Sequence, residues 1–525
     1  MSKVLILTSL LLGIAFDILF WKKMPGISFA IFTILCLSCG YVLLRSQNIR
    51  PAGMSLVLLA PILFFSVMTF NRLEPFTLLL NYALTFFCMA VLVMTYRSGR
   101  WSVFTFTDYL VNSLLFIMSM VSFGWTQFIN HDSSQNPDLE TGKPNKIWPI
   151  VRGIVIAIPI LFVFGALFSS ADLVFARKLD SLLAFLSLQN LGEIIFRGVT
   201  ILLMAYLLAG IFNYAGNLSQ NEKQIRKGKP ILAPFLGFTE ASIILGSILL
   251  LFSAFVLIQF QYFFSGQANI SLEGFTYSEY ARRGFSELVA VAALSLIIFQ
   301  ALSIITKRQT NGQKRVFSGL GIGLVTLVII ILITSFQRLY LYESAYGFTR
   351  SRSYAHVFII WLGILLLTVV VLEVLNRQRA LAAASLIILM GFTVSLNLLK
   401  VDAFIAHQNI HFAVNGKELD TTYLSSLSND AVPTLVNDYS SANLSQETKN
   451  NIEAVLACYD ANQKSRSPEI QNWQSFHFSD WNAARELQSI QENLKMYRIK
   501  DDTMPVIIIS PDGTEFTCQE FYSDF

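Results

Sequence analysis

The sequence predicts an all-α polytopic membrane protein of about twelve transmembrane helices, closed by a small, mainly helical C-terminal soluble domain that ends in a β-hairpin. Three observations carry this reading. Of the 525 residues, 54% are hydrophobic and 14% are charged, against about 25% charged in soluble globular chains. Apolar runs close to 20 residues long recur along residues 1–399, the length an α-helix needs to cross about 30 Å of hydrocarbon. Charge then changes sign near residue 400. Residues 400–525 hold nine Lys and Arg against eighteen Asp and Glu, and residues 1–399 hold the remaining 29 against 16. The chain therefore divides into a basic transmembrane domain, 1–399, and an acidic soluble domain, 400–525.

The expected spans are 3–21, 27–45, 52–70, 75–95, 103–127, 149–169, 193–214, 239–263, 285–306, 317–337, 354–375 and 380–399. Short turns rich in Gly, Pro, Asn, Lys or Arg separate most of them. The first span reads as a retained helix, because the WKKMPG that follows lacks a small-x-small cleavage site. Asp108 and Asn112 soften the start of the fifth. Segment 171–187 alternates apolar and charged residues at helical spacing and reads as an interfacial helix. In the acidic domain, helical patterns cover 401–409, 419–437, 446–462 and 480–496, with Ser479 or Asp480 as a cap for the last. MPVIIIS, PDGT and EFTCQEFY read as strand, turn and strand.

Lysine and arginine concentrate in two loops, NEKQIRKGKP and TKRQTNGQKR, which places those loops on the cytoplasmic side. Counting spans onward leaves the acidic domain outside the cell. There Cys458 and Cys518 can form a disulfide, since such bonds persist in oxidising compartments. Cys36 and Cys39 lie in an apolar span and read as small packing residues. His407 and His411 have helical i, i+4 spacing but no third ligand beside them, so no metal site is expected. The net charge of +4 is small and dispersed, which argues against a nucleic-acid partner. No phosphate-binding or nucleophile-elbow signature is present, and neither nucleotide nor cofactor is expected.

Two loops stand out. GFTYSEYARRGFSEL occupies 274–288, and FQRLYLYESAYGFTRSR occupies 336–352. Each follows an apolar helix with an aromatic end, and two crossings separate them, so both emerge on one face. The tripeptide GFT begins at Gly237, Gly274, Gly347 and Gly391, which suggests either a duplicated hairpin or a tripeptide suited to helix entry. The two loops gather Glu279, Arg282, Arg283, Glu287, Arg338, Glu343, Arg350 and Arg352. Glu279, Arg283 and Glu287 share one helical face at i, i+4, i+8. Such charges either staple helix ends together or line a vestibule for an anionic ligand or lipid headgroup. Asp17, Asp108, Arg197, Glu240 and Glu373 fall at membrane depth, where ionisable groups are costly; Arg197 has Glu193 as a partner one turn earlier.

With GFTEAS at 237–242, DAFIAHQNI at 402–410 and LDTTYLSSLSNDAVP at 419–433, the two long motifs resemble a family of bacterial polytopic membrane proteins known only as a domain of unknown function. The resemblance spans most of residues 1–440 and implies a multi-pass protein of the bacterial cytoplasmic membrane with no assigned activity. The bilayer is then the immediate partner, and the acidic domain is a candidate for protein contact. The expected role is non-enzymatic passage or sensing of a small solute, ion or lipid. The alternatives are a membrane-embedded enzyme on a lipid-linked substrate, with Glu279 or Glu343 as base, and a scaffold or signalling protein.

Overall fold

The computed structural model describes residues 3–132, 191–219, 234–264, 285–375, 377–441, 444–464, 472–500 and 506–519, with scattered positions between 157 and 178. These fall into two compact units, Met1–Trp21 with Ile117–Asn213, and Lys22–Phe116 with Tyr214–Phe525.

In the first unit, α1 (Lys3–Phe20) packs along a second helix, Leu191–Asn213. Gly13 marks the crossing, where a Cβ would stand 2.5 Å from the carbonyl oxygen of Ile201. Small residues at such a point let two apolar helices pack backbone against backbone in lipid, where no hydrophobic force drives them together.

The second unit begins with α2 (Ile27–Ser46), then α3 (Leu59–Asn71) after a single helical turn, and α4 (Pro75–Met94). Next comes α5 (Phe106–Asp132), whose residues from Ile117 belong to the first unit. With Leu191–Asn213 as α6, the second unit resumes with α7 (Phe238–Phe264), α8 (Phe285–Ile305), α9 (Asn311–Tyr346), α10 (Arg350–Val374) and α11 (Leu381–Leu399). Helix α9 is the hub: α7, α8 and α10 all pack against it, around Phe299, Phe317, Leu324, Val328 and Leu366. At 36 residues it is about 54 Å long, well beyond the hydrocarbon thickness. A capping box of Thr310 and Gln313 starts it, and Gly347 ends it at φ +76°.

The outward faces are as apolar as the inward ones. Val42, Leu250, Leu251, Ile297 and Leu398 are each more than 60% exposed. A helix hydrophobic all round belongs in a membrane, and the chain is a multi-pass membrane protein. Ten helices among the described residues are long and apolar enough to cross. The fifth expected span lies largely within α5, a helix of 27 residues whose described apolar stretch is Phe106–Ser122. The expected span 149–169 and the interfacial segment 171–187 lie largely outside the described residues.

Lys400, at φ +51°, breaks the chain between α11 and α12 (Val401–Val414). The longer helices that follow are α13 (Val432–Tyr439), α14 (Gln446–Lys464) and α15 (Phe478–Ser489), and an antiparallel sheet of β1 (Arg498–Lys500), β2 (Ile507–Ile509) and β3 (Glu515–Thr517), in that order, closes the chain. The register pairs Ile499 with Ile508 and Ile508 with Phe516. The β2–β3 hairpin is the expected one. Strand β1 is an addition, and α15 starts at Phe478 with His477 at its cap position, two to three residues before the expected cap. Ile405, Leu424, Leu435, Ile452, Leu456, Leu487 and Ile508 form one core, and Phe76, Tyr354, Trp361, Phe392 and Leu396 from the apolar helices share it. Cys458 and Cys518 are joined by a disulfide that ties α14 to the end of the sheet.

Candidate functional site

Among the described residues of the second unit, a cluster of hydrogen-bonded charged and polar groups lies where the acidic segment meets the ends of the apolar helices. Arg350, in the first turn of α10, donates from Nε to Asp402 Oδ1 at 2.8 Å and from Nη2 to Oδ2 at 2.7 Å. Two parallel N–H···O bonds match the guanidinium fork to the carboxylate plane. Asp402, one residue into α12, is wholly buried. It also accepts the backbone N–H of Ser428 at 2.7 Å. The backbone N–H of Arg350 donates to Tyr423 Oη at 2.8 Å, and its Nη2 to the carbonyl of Ser426 at 3.2 Å. Arg350 therefore binds both α12 and the 420–430 turn.

A second acid closes the same junction from the other side. Asp430 accepts the backbone N–H groups of Leu73 and Glu74 at 2.9 and 3.2 Å, which frees the start of α4 from unpaired donors. Arg72 lies 3.8 Å from it and donates to the carbonyl of Asn397 at 3.1 Å. Glu74 caps α4, accepting from the backbone of Phe76 and Thr77 at 2.8 Å each. It also takes the hydroxyl of Tyr354. Below this layer Asn81 and Asn397 exchange amide hydrogen bonds at 3.1 and 2.8 Å, so α4 and α11 are joined by polar groups that lipid cannot satisfy.

Burial raises the carboxyl groups of Glu74 and Asp430 above their ordinary range, because the charged form loses water. At Glu74 the nearby charge of Asp402 adds to the rise, and hydrogen bonds from Thr77 and Tyr354 oppose it. At Asp430 the Leu73 N–H and the charge of Arg72 pull the other way.

The 347–349 turn is held as well. Asn409 accepts from the N–H of Phe348 at 2.8 Å and donates to its carbonyl at 2.9 Å, as a neighbouring strand would. Lys417 donates to the carbonyls of Ser344 and Ala345 at 2.9 and 3.3 Å, a cation at the negative end of α9. The carbonyl of Phe476 accepts the N–H of Ile27 at 3.0 Å, at the start of α2. Residues from four parts of the acidic segment thus grip the ends of α2, α4, α9 and α10.

The sequence-derived site residues fall as follows. Glu279, Arg282 and Arg283 lie outside the described residues. Glu287 is exposed and accepts from Ser286 Oγ at 2.9 Å. Arg338 is half-buried on α9. Glu343 is buried, with His356 Nδ1 3.0 Å from its Oε1. Arg352 turns back to the carbonyls of Gly347 and Tyr346 at 2.5 and 3.3 Å and stacks over Tyr342 at 4.1 Å. In the second loop Glu343, Arg350 and Arg352 each engage a different protein partner.

Asp108 and Glu240, expected at membrane depth, each occupy a first helical turn. Asp108 forms a capping box with Thr105, and Glu240 accepts the N–H of Gly237 at 2.9 Å. Asp17 is buried and receives Arg197 at 3.1 Å through Nε and 2.5 Å through Nη2. Glu193, expected beside Arg197, accepts the indole N–H of Trp21 at 2.8 Å. His407 pairs with Asp438 at 2.9 Å.

The three described GFT tripeptides serve three different ends. Gly237 precedes a helix start, Gly347 terminates a helix, and Gly391 sits within α11, where the ring of Trp361 leaves no room for a Cβ. Sequence reading alone missed Glu74, Tyr354, Asp402, Tyr423 and Asp430 as site residues. Three of them lie within the motifs DAFIAHQNI and LDTTYLSSLSNDAVP, which was the available signal.

Comparison with known proteins gives one match. A family described as a domain of unknown function (DUF4153) matches residues 59–437. The match covers both sides of the junction, from the 72–74 turn to Asp430, and ends before the disulfide. No curated protein and no solved structure matches the chain.

Proposed function

The chain belongs to the DUF4153 family, and from that premise we propose that it is a non-enzymatic sensing protein of the bacterial cytoplasmic membrane, whose 400–525 domain lies outside the cell and reports through its seating on the helix ends. The Arg350–Asp402 pair carries this reading. It connects the first turn of an apolar helix to the first turn of the acidic segment, and breaking a buried pair by removing one partner is strongly destabilising, at about 3–5 kcal/mol. A ligand or protein partner that shifts the domain therefore has a rigid connection to α10 and α11 through which to act. The disulfide supports the outer location, because it requires an oxidising compartment.

The arrangement favours sensing over passage and over catalysis. An anion vestibule needs open cations, yet Arg350 and Arg352 are taken up by Asp402 and by backbone carbonyls. A general base needs a reachable lone pair, yet Glu343 is 2% exposed and held by His356.

The test compares cells carrying Asp402→Asn with cells lacking the gene and with cells expressing residues 1–399 alone. A sensing domain predicts that Asp402→Asn, inserted in the membrane at wild-type level, reproduces the phenotype of the deletion. Wild-type behaviour of both Asp402→Asn and the 1–399 chain contradicts the proposal and favours a role for the membrane helices alone.

A further inference from the structure

Helices α9, α10 and α11 reach a second polar cluster at their other ends. There a cleft of about 850 Å³ opens between the 306–318 segment, the 373–380 turn, Pro234 and Val103. It is lined by four cations, Arg308, Lys314, Arg377 and Arg379, and by one carboxylate, Glu373. Glu373 is buried and internally satisfied, accepting from Ser318 Oγ at 2.5 Å and from the side-chain amide of Gln378. Arg308 lies 3.8 Å from it, donates to the carbonyl of Ser303 at 2.6 Å, and stacks over Phe317 at 4.4 Å. That arginine and Glu373 balance each other within the wall.

The other three cations are different. Lys314, Arg377 and Arg379 are exposed, and among the described residues no carboxylate forms an ion pair with any of them. Three positive charges without an ion-pair partner among those residues, around one concave surface, create a field that concentrates anions. The cleft also has exposed apolar walls, Val103 at 57% and Ile304 at 42%. Cations beside exposed aliphatic side chains match a molecule with a phosphate at one end and hydrocarbon at the other.

We propose that this cleft binds a phosphate-bearing anion through Lys314, Arg377 and Arg379, with an anionic phospholipid headgroup as the source that its apolar walls favour. The site lies at the opposite ends of α9–α11 from the Arg350–Asp402 junction. With α10 spanning 25 residues, the separation is about 37 Å, so an occupant sits in the other leaflet from the junction. The proposal is independent of whether the 400–525 domain is a sensor.

The test uses the full chain in mild detergent, titrated in separate arms with phosphatidylglycerol, phosphatidylcholine and inorganic phosphate, read by native mass spectrometry and by thermal shift. Phosphatidylglycerol should bind at least tenfold more tightly than phosphatidylcholine. The triple variant Lys314→Gln, Arg377→Gln, Arg379→Gln should weaken it about a hundredfold. Lys314→Arg, Arg377→Lys, Arg379→Lys, which keeps every charge, should retain binding and controls for folding. Saturation by inorganic phosphate alone, lost in the same triple variant, assigns the site to a soluble phosphate and still supports the shared chemistry. Equal binding of the two lipids with no response to phosphate overturns the proposal. So does phosphatidylglycerol affinity within twofold of wild type in the triple variant. Should that variant fail to fold, wild-type phosphatidylglycerol affinity decides: a fall of at least tenfold on raising salt supports the site, and no fall overturns it.

Discussion

Glu74 shows how much a single residue at the junction is asked to do. Its carboxylate caps α4, takes the Tyr354 hydroxyl and lies near the charge of Asp402, all while 2% exposed. Burial and that neighbouring charge raise its proton affinity above the ordinary value of 4.5. A proton held more tightly in the folded than in the unfolded chain stabilises the fold on the acid side. The contribution is fully present below about 4.5 and is lost as pH rises through the raised folded value. Glu74→Gln removes that titration and keeps an acceptor for the helix start. Its thermal midpoint in detergent should therefore fall behind wild type as pH is lowered from 7 towards 4.5, whereas parallel curves for the two proteins would refute the assignment. At this scale the sequence was least legible. Arg350 stood out as a charge beside an apolar helix, but its partner is 52 residues away, and the Leu73–Asp430 bond spans 357. Spacing rules find partners three or four residues apart and are blind to these.

Among the elements, α9 and the turn that ends it matter most. Hydropathy marks only 317–337, because it registers the stretch that lipid must cover. The helix itself runs from Asn311 to Tyr346, since a capping box and a glycine terminator set its ends. In the same way α10 starts four residues before the expected 354, through Arg350–Ser353, which are polar yet helical. Strand β1 escaped because it is three residues long, exposed throughout, and follows directly on the helical pattern that ends at 496. Gly347 adopts φ +76° and ψ −177°, a region essentially reserved for glycine. A Cβ there would also stand 2.9 Å from Asn409 Oδ1. Gly347→Ala should cost about 1–3 kcal/mol and loosen the hold of Asn409 on Phe348. Hydrogen exchange should show faster amides at 348–350 in the variant, and unchanged exchange there would mean that the turn tolerates a side chain.

For the whole molecule, apolar run length and the change of charge near residue 400 carried most of the architecture, because lipid imposes the same length on every crossing. What they could not carry was the docking of the acidic segment. Its core is shared with Phe76, Tyr354 and Trp361 of the apolar helices, and an apolar residue at a helix end looks the same in sequence whether it faces lipid or a docked domain. The central claim is that the 400–525 domain sits on the oxidising face and the Lys314–Arg379 cleft on the other. It is tested most directly by labelling with a membrane-impermeant maleimide in spheroplasts. Single cysteines replace the exposed Glu418 and Arg315, with the three free cysteines, Cys36, Cys39 and Cys88, changed to serine. Glu418→Cys should react in intact spheroplasts and Arg315→Cys only after permeabilisation; the reverse order, or reaction of both without permeabilisation, would contradict this placement.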